Sequence, residues 1–345
     1  MKKVLGLGNA LVDIMTRLDH DGYLGEFNLP KGSMTLVDAD RSEKIYDDTM
    51  HLEKSIRSGG SAANTIHGLA NLGVESGFIG KIGTDEMGKV FHDDMAAAGI
   101  NSHLSQNDTP TGRAIALISP DTERTFATYL GAAIEMDRND IDSAIFAQYD
   151  LFHIEGYIVQ NHALLEAALK LAREKDMKIS LDLASYNVVE QNRDFLEDIL
   201  RKYVDIVFAN EDEARSLTGK EPEEALEMLA GLCEVAVVKV GKEGSLVSSQ
   251  QSAVSSQQPV LMTKSEGSAV GGRRYKIGII PVKSVDTTGA GDLYASGFLY
   301  GLIQGYDLEK CGRIGAILAG KVIEVIGPKI NESGWPIVRK MIQNL

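Results

Sequence analysis

The stretch from Asp150 to Leu183, DLFHIEGYIVQNHALLEAALKLAREKDMKISLDL, contains a strand, a helix and a second strand. The runs DLFHIEG and KISLDL are short and mostly apolar, which predicts buried strands. Between them, NHALLEAALKLAREK carries apolar residues at helical spacing and predicts an amphipathic helix. Apolar strands separated by helices are typical of a parallel sheet that is covered on both faces.

The same alternation continues on both sides of this unit. Downstream follow the helix FLEDILRKY, the strand VDIVFAN, the helices EDEARSL and EEALEMLAGL, and the strand VAVVKVG. Upstream lie the strand at residues 4–7, the helix SAANTIHGLANLG, the strand SGFIGKIG and the helix DEMGKVFHDDMAAAG. We therefore predict one α/β domain over residues 1–345, with a mostly parallel sheet between layers of helices.

Three segments do not fit the alternation. RAIALIS and RTFATYL are β-rich runs separated by the turn PDTE, which predicts a hairpin. Together with residues 14–37, residues 112–130 are interpreted as a small separate β-sheet that acts as a lid. Residues 248–272 are polar and free of aromatic residues, and they contain SSQQ twice. We interpret them as a flexible insertion between two strands.

Composition excludes several classes of function. The chain has 345 residues, 43% of them hydrophobic, and a formal net charge of −14. This charge argues against a nucleic-acid or anionic-membrane surface. The two cysteines, Cys233 and Cys311, are far apart and predict neither a disulfide framework nor a metal site. Without a disulfide framework, the cytoplasm is the expected compartment. No segment reaches the roughly 18 apolar residues of a membrane span.

The segment DTTGAGD suggests chemistry on an anion. Gly289, Ala290 and Gly291 precede or open an apolar helix, and Asp292 follows them directly. Backbone N–H groups at a helix start bind anions, and glycine lets a phosphate come close. An aspartate beside them could take a proton from an attacking hydroxyl, which completes a phosphoryl-transfer site. The alternative is a glycine-rich turn that Asp292 caps.

Two further segments suit a polyhydroxylated ligand. Gly59 and Gly60 precede a helix that carries Asn64 in its first turn, whereas Asn9 and Asp13 follow the first strand. Amide groups donate and accept hydrogen bonds and carboxylates accept them, as vicinal hydroxyls require. The alternatives are a tight turn for the glycines and ordinary loop residues for the polar pair.

Polar residues also follow the strand VDIVF. In NEDE, Asn210 and Glu213 lie where open α/β sheets bind ligands, although Asn210 could equally be a helix N-cap. Arg124, in the predicted hairpin, could reach a phosphate from the lid or be a solvated surface charge.

These motifs, in this order, resemble those of the PfkB family of carbohydrate kinases, the ribokinase-like group. GGSAANTIHGLANLG with GFIGKIGTDEMG is similar to its N-terminal motif, and DTTGAGD is similar to its C-terminal motif. NEDE matches its NxxE motif, and VVKVGKEG matches its nucleotide-side strand and turn. The resemblance implies a three-layer α/β/α domain with a β lid, and transfer of the ATP γ-phosphate to a hydroxymethyl group.

The resemblance also implies roles for the matched residues. Asp292 would be the catalytic base, and residues 289–291 would form the anion hole. Asn210 and Glu213 would help to place Mg²⁺ through water, and Arg124 would approach the phosphate.

Four further positions on the nucleotide side follow from the resemblance. Asp286 and Thr288 lie where some members hold a monovalent cation such as K⁺. Adenine would lie near Gly241 and Gly244.

The acceptor follows from a narrower resemblance. GLGNALVDI, PTGRAIALISPDTERTFATYLGAA and YVDIVFANEDEA resemble segments of adenosine kinases. There, the residues that match Asn9, Asp13, Gly60 and Asn64 hold the ribose hydroxyls.

A nucleoside base also needs apolar walls, which Met34 and Leu36 on the lid and Tyr157 on the core could supply. Ordinary packing is the alternative for each of the three. Tyr186 is a further candidate for these walls.

DTTGAGD itself is typical of sugar kinases, whereas many eukaryotic adenosine kinases have DTNGAGD. Ribose, fructose, inosine and guanosine therefore stay open as acceptors, as does a regulator that binds a ligand without catalysis. The resemblance fits either a monomer or a homodimer.

Overall fold

The computed structural model of the protein describes residues 2–250 and 273–345. The strands are β1 (Val4–Leu7), β2 (Leu11–Arg17), β3 (Met34–Leu36), β4 (Lys54–Gly59), β5 (Ser76–Gly83), β6 (Asn101–Asn107), β7 (Thr111–Ile118), β8 (Arg124–Gly131), β9 (Leu151–Glu155), β10 (Lys178–Asp182), β11 (Ile206–Asn210), β12 (Val235–Lys239), β13 (Ser245–Ser249) and β14 (Arg273–Ile277).

Most of the longer helices connect strands of the main sheet or follow its last strand. They are α1 (Gly22–Glu26), α2 (Ala39–Asp48), α3 (Ser61–Asn71), α4 (Glu86–Ala97), α5 (Ser143–Phe146), α6 (His162–Glu174), α7 (Tyr186–Gln191), α8 (Arg193–Lys202), α9 (Glu211–Thr218), α10 (Pro222–Leu232), α11 (Ala290–Ile303), α12 (Leu308–Val322) and α13 (Trp335–Gln343).

The main sheet has nine strands in the order β14-β13-β12-β11-β10-β9-β1-β5-β6. All neighbours in it are parallel except β12–β13 and β13–β14, which are antiparallel. Two large groups of buried apolar side chains pack around the strands. The predicted α/β fold with a mostly parallel sheet is confirmed, and β5 has the bounds of the predicted SGFIGKIG strand.

A second sheet has five strands in the order β3-β8-β7-β2-β4. The predicted hairpin forms its centre, since β7 and β8 pair antiparallel from Thr111–Gly131 to Ile118–Arg124. The β-rich segments 14–37 and 112–130 contribute to this sheet, but residues 22–26 within the first of them form α1. β4 also belongs to the sheet and lies outside both predicted segments. The action of this sheet as a lid stays a prediction.

The predicted insertion at residues 248–272 includes two residues that the structure places in a strand. Ser248 and Ser249 belong to β13, where they pair with Arg274 and Arg273 of β14. Residues 251–272 lie outside the described part of the chain, so the rest of that prediction is not tested.

None of the helices within the described ranges is long and apolar enough to cross a membrane.

Candidate active site

Polar side chains collect at one edge of the main sheet. The parallel strands β9, β10, β11 and β12 end in Glu155, Asp182, Asn210 and Lys239, and Asn9 follows the end of β1. The carboxyl ends of parallel strands share one edge of the sheet, which is where open α/β folds bind ligands. Alternation in the sequence thus places five chemically active side chains together.

Two cavities open at this edge. The first, called here the Lys239 cavity, has a volume of about 470 Å³ and is lined by Ser61, Tyr157, Asp182, Ala184, Asn210, Glu211, Asp212, Glu213, Lys239, Gly241, Gly291 and Asp292. The second, called the Asn9 cavity, has a volume of about 1100 Å³. It is lined by Asn9, Leu11, Asp13, Met34, Leu36, Gly60, Ser61, Asn64, Glu155, Tyr157, Thr288 and Asp292, together with residues of the 114–164 and 185–192 segments. Ser61, Tyr157 and Asp292 line both cavities.

Asp292 therefore stands at the junction of the two cavities. Its Oδ1 accepts a hydrogen bond from Ser61 Oγ at 2.8 Å, and its Oδ2 accepts one from Asn64 Nδ2 at 2.9 Å. Burial raises the pKa of Asp292, whereas these two hydrogen bonds and the charge of Lys239 act in the opposite direction. A carboxylate with a raised pKa is a stronger base, as proton abstraction from a hydroxyl requires.

The turn in front of Asp292 has the form that the glycine motif predicts. Gly289 is the N-cap of α11 and has φ of +75°, a conformation that residues with a Cβ rarely adopt. Ala290 N–H donates to the Thr287 carbonyl at 3.2 Å, so it belongs to the turn. Gly291 lines the Lys239 cavity, and its N–H belongs to the first helical turn, whose N–H groups have no partner within a helix. Of the three predicted anion-hole residues, Gly291 is the one that lines a cavity.

Asp286 organises the same turn. Its Oδ1 accepts Thr288 N–H at 2.7 Å and its Oδ2 accepts Gly327 N–H at 2.6 Å. The guanidinium group of Arg124, at the start of β8, forms an ion pair with this carboxylate. The structure thus joins Arg124 to the residue predicted to hold a monovalent cation, and such a cation would have to take the place of the guanidinium group.

The predicted acceptor residues converge on the Asn9 cavity. Asn9, Asp13, Gly60 and Asn64 all line it, whereas Gly59 does not. Burial raises the pKa of Asp13 to about 7, with the nearby charge of Lys329 opposing the shift. Asn64 Oδ1 is buried without a hydrogen-bond partner, although its amide nitrogen is bound. A ligand hydroxyl would satisfy this oxygen.

Sequence reasoning missed Glu155. Its side chain is 1% exposed, lines the Asn9 cavity and accepts N–H groups from Asn9 at 2.9 Å and Ala62 at 3.1 Å. Burial raises the pKa of Glu155 to about 7 despite these hydrogen bonds. The available signal was a glutamate at the end of an otherwise apolar strand, LFHIE.

Apolar side chains form part of the Asn9 cavity wall. Met34 and Leu36 on β3 line it and are 55% and 60% exposed. Tyr157 lies at the junction of both cavities. Tyr186 is not among the lining residues of either cavity, so it does not belong to the predicted wall.

On the Lys239 side, the NxxE residues are an N-terminal helix cap. Asn210 Oδ1 accepts Glu213 N–H at 2.8 Å, and the Glu213 carboxylate accepts the N–H and Nδ2 of Asn210 at 2.8 and 2.7 Å. Both residues also line the cavity, so the capping role does not exclude a ligand role. Burial raises the pKa of Glu213 to about 7. Gly241 lines the cavity, whereas Gly244 lies in the β12–β13 turn beside Ile277.

Two more residues of this cavity were not predicted. Lys239 Nζ donates to Asp182 Oδ2 at 2.7 Å across the sheet edge. Within the described ranges, no group of three or more His, Cys, Asp and Glu residues is arranged to hold a metal ion.

Comparison with known proteins agrees with this geometry. The chain matches the pfkB family carbohydrate kinase model over residues 31–333. It is 30% identical over 267 residues to an uncharacterized sugar kinase from Archaeoglobus fulgidus, covering 76% of this chain and 96% of that protein. It is 30% identical over 283 residues to a 5-dehydro-2-deoxygluconokinase from Clostridium botulinum, covering 77% and 78%. The solved adenosine kinase from Sinorhizobium meliloti superposes with a TM-score of 0.83 and 34% identity over 99% of both chains.

A buried carboxylate between two cavities, beside a glycine-rich helix start, fits a phosphotransferase that acts on an alcohol group, which is the class that the comparisons show. The chain belongs to the pfkB family of carbohydrate kinases, in which sugars or nucleosides are the acceptors and ATP, usually with Mg²⁺, is the donor.

Proposed function

We propose that this kinase transfers the γ-phosphate of ATP to the hydroxymethyl group of adenosine and forms AMP. The observation that carries the proposal is the position of Asp292 between a polar cavity at the helix start and a larger cavity with both polar and apolar walls. A ribose would lie against the carboxylates and amides, and a base would lie against the apolar side chains.

The polar half of the Asn9 cavity supports the ribose position. Asp13 and Glu155 provide carboxylate oxygens, and Asn64 has one carbonyl oxygen without a partner. Vicinal hydroxyls can donate to all of these groups. The exposed Met34 and Leu36 support the base position, because a free sugar would leave their apolar surface uncovered.

ATP would lie in the Lys239 cavity, whose donors suit phosphate groups. The first-turn N–H of Gly291 and the ammonium group of Lys239 both face this cavity. We propose that Asn210 and Glu213 help to place Mg²⁺ through water, which agrees with the tendency of this ion to keep water and phosphate ligands. We further propose that K⁺ at Asp286 would release Arg124 toward the phosphate.

The chemistry of the chain's own residues follows from this arrangement. When ATP is bound, it supplies the phosphoryl group that is transferred. Asp292 accepts the proton of the acceptor hydroxyl, and Ser61 and Asn64 orient its carboxylate. Closure of the second sheet over the Asn9 cavity would exclude water and prevent ATP hydrolysis.

A sugar kinase is the second candidate. The motif DTTGAGD and the two sugar-kinase relatives favour it. The test is coupled ADP release with MgATP against adenosine, inosine, guanosine, ribose, fructose, fructose 6-phosphate and 5-dehydro-2-deoxygluconate. Turnover with adenosine at micromolar concentration supports the proposal. Turnover with a sugar alone refutes the nucleoside assignment but keeps the phosphotransferase.

A further inference from the structure

Lys239 is a charged residue at the end of a buried strand. The preceding four residues of β12 are buried, and the lysine side chain is only 17% exposed. Its Nζ donates to Asp182 Oδ2 at 2.7 Å, and both residues line the Lys239 cavity. Burial of a charge is costly unless it is compensated, so this ammonium group needs partners.

The ammonium group lies against the start of α11. A Cβ built on Gly291 would be 3.1 Å from Lys239 Nζ, so the absence of a side chain at this position makes room for the ammonium group. The N-terminus of a helix carries partial positive charge, and a cation there is unfavourable by itself. Two positive groups side by side favour a bound anion between them.

The surrounding charges keep Lys239 protonated. Burial by itself lowers its pKa, but Asp182, Glu213 and Asp292 raise it, and the net shift is upward. An ammonium group has three N–H donors. In the described part of the chain, Asp182 is the hydrogen-bond acceptor found for Nζ, which leaves two donors for oxygens of a ligand in the cavity.

We propose that Lys239 is a further phosphate-binding catalytic residue, whose ammonium group contacts the γ-phosphoryl group and stabilises it during transfer, and that Asp182 is its positioning residue. This inference rests on the proposed use of ATP in the Lys239 cavity. In the transfer, the bond from the acceptor oxygen to the γ-phosphorus forms and the bond to the β–γ bridging oxygen breaks. The hydroxyl proton goes to Asp292, and ADP leaves with the electron pair of the broken bond.

The charge of Lys239 has a second consequence for the reaction. It lowers the pKa of Asp292, which burial raises. Lys239 therefore helps to keep the base ionised while it holds the group that the acceptor attacks.

The test compares Lys239→Met with Lys242→Met, which removes an exposed charge from the adjacent turn. Calorimetry measures the affinity for ADP and for the β,γ-methylene analogue of ATP, each with Mg²⁺. We expect Lys239→Met to weaken analogue binding at least tenfold and ADP binding less than threefold, about the effect of losing one charge-assisted contact. Lys242→Met should change neither affinity. If Lys239→Met weakens the binding of both nucleotides equally, or weakens the binding of neither, the proposed contact with the γ-phosphate is wrong.

Two further measurements separate this role from a structural one. Lys239→Met should lower kcat by roughly 10²-fold or more, as for loss of one preorganised donor, and move the acidic limb of kcat/KM to higher pH. Since Lys239→Met leaves Asp182 buried and unpaired, the variant Lys239→Met/Asp182→Asn removes both charges. It should regain thermal stability but not analogue binding, and recovery of analogue binding would refute the proposal.

The adenosine assignment can be wrong without affecting the test of Lys239. If the wild-type protein turns over none of the acceptors, the adenosine assignment is wrong, and the analogue-to-ADP affinity ratio still tests Lys239. If the wild-type protein binds neither nucleotide, both the use of ATP in this cavity and the role of Lys239 are wrong.

Discussion

Asp292→Asn should abolish proton transfer without disturbing the fold, because the structure can accommodate the amide. The new Nδ2 would face either Ser61 Oγ or Asn64 Nδ2. A hydroxyl both donates and accepts, and Asn64 can turn its unpartnered Oδ1 toward the new amide. The hydrogen bonds of the site therefore survive, while the group that takes the proton is lost.

The magnitude follows from the role of the carboxylate. Loss of a general base costs roughly 10² to 10⁴ in turnover, about 3 to 5.5 kcal/mol of barrier. Binding of acceptor and nucleotide should stay within about threefold, because the contacts are retained. The assay is coupled ADP release, with calorimetry of each substrate. Asp93→Asn is the matched control, since Asp93 has a largely exposed side chain, lines neither cavity and should retain wild-type turnover.

The same substitution has an effect on stability. The pKa of Asp292 is higher in the folded state than in the unfolded chain, so ionisation of this carboxyl opposes folding as the pH rises above the unfolded pKa. We expect Asp292→Asn to raise Tm at pH 8, with the gain shrinking as the pH is lowered and the wild-type carboxyl becomes protonated. Turnover of Asp292→Asn within tenfold of the wild type would refute the base assignment. An unchanged Tm at pH 8 would refute the argument from burial.

Three other predictions follow from the Asn9 cavity. Leu36→Asp should raise KM for adenosine at least tenfold with little effect on kcat. Met50→Asp, at a similarly exposed position that lines neither cavity, should leave KM unchanged. Equal effects of the two substitutions would refute the proposed contact between Leu36 and the base. Hydrogen exchange in residues 14–37 and 112–130 should slow when adenosine is added. An unchanged exchange rate would refute the prediction that these segments act as a lid. Because Asp13 and Glu155 both line this cavity and each has a pKa of about 7, adenosine affinity should fall as pH drops through 7. Asp13→Asn should weaken that dependence, and Glu155 should retain the rest of it; a variant with the wild-type pH profile would exclude Asp13.

Most of the main sheet could be predicted because its central strands are apolar on both faces. The pattern fails at the edges, where strands are under no such constraint. β6 (NSHLSQN) is an edge strand with partly exposed polar residues, and β4 (KSIRSG) is an edge strand of the second sheet. Neither carries the period of a half-buried strand, so neither was predicted.

The candidate site was predictable where a motif surrounds the residue. Asp292 and Asn64 lie in long glycine-containing motifs, and the structure joins them by a hydrogen bond of 2.9 Å. Glu155, Asp182 and Lys239 are single charged residues at the ends of apolar strands. Each could be a strand terminus at the surface, and only the structure shows that all three lie at the edge where the two cavities open.

The parallel sheet contains part of this signal. Its strands all end at the same edge, so a charged residue that closes one apolar run lies at the same edge as those that close the other runs. The runs LFHIE, KISLD, IVFAN and VAVVK therefore place Glu155, Asp182, Asn210 and Lys239 at one edge, and the strand order decides which of them are neighbours.

The ion pair between Arg124 and Asp286 connects the second sheet to the glycine-rich turn, and through it ligands on the two sides of the site would be thermodynamically coupled. Asp286 holds the backbone of Thr288 and Gly327 while its carboxylate binds a side chain of the second sheet. Any ligand that favours one arrangement of this carboxylate thereby changes the free energy of the other half. Such coupling is reciprocal: the factor by which acceptor tightens nucleotide binding equals the factor by which nucleotide tightens acceptor binding.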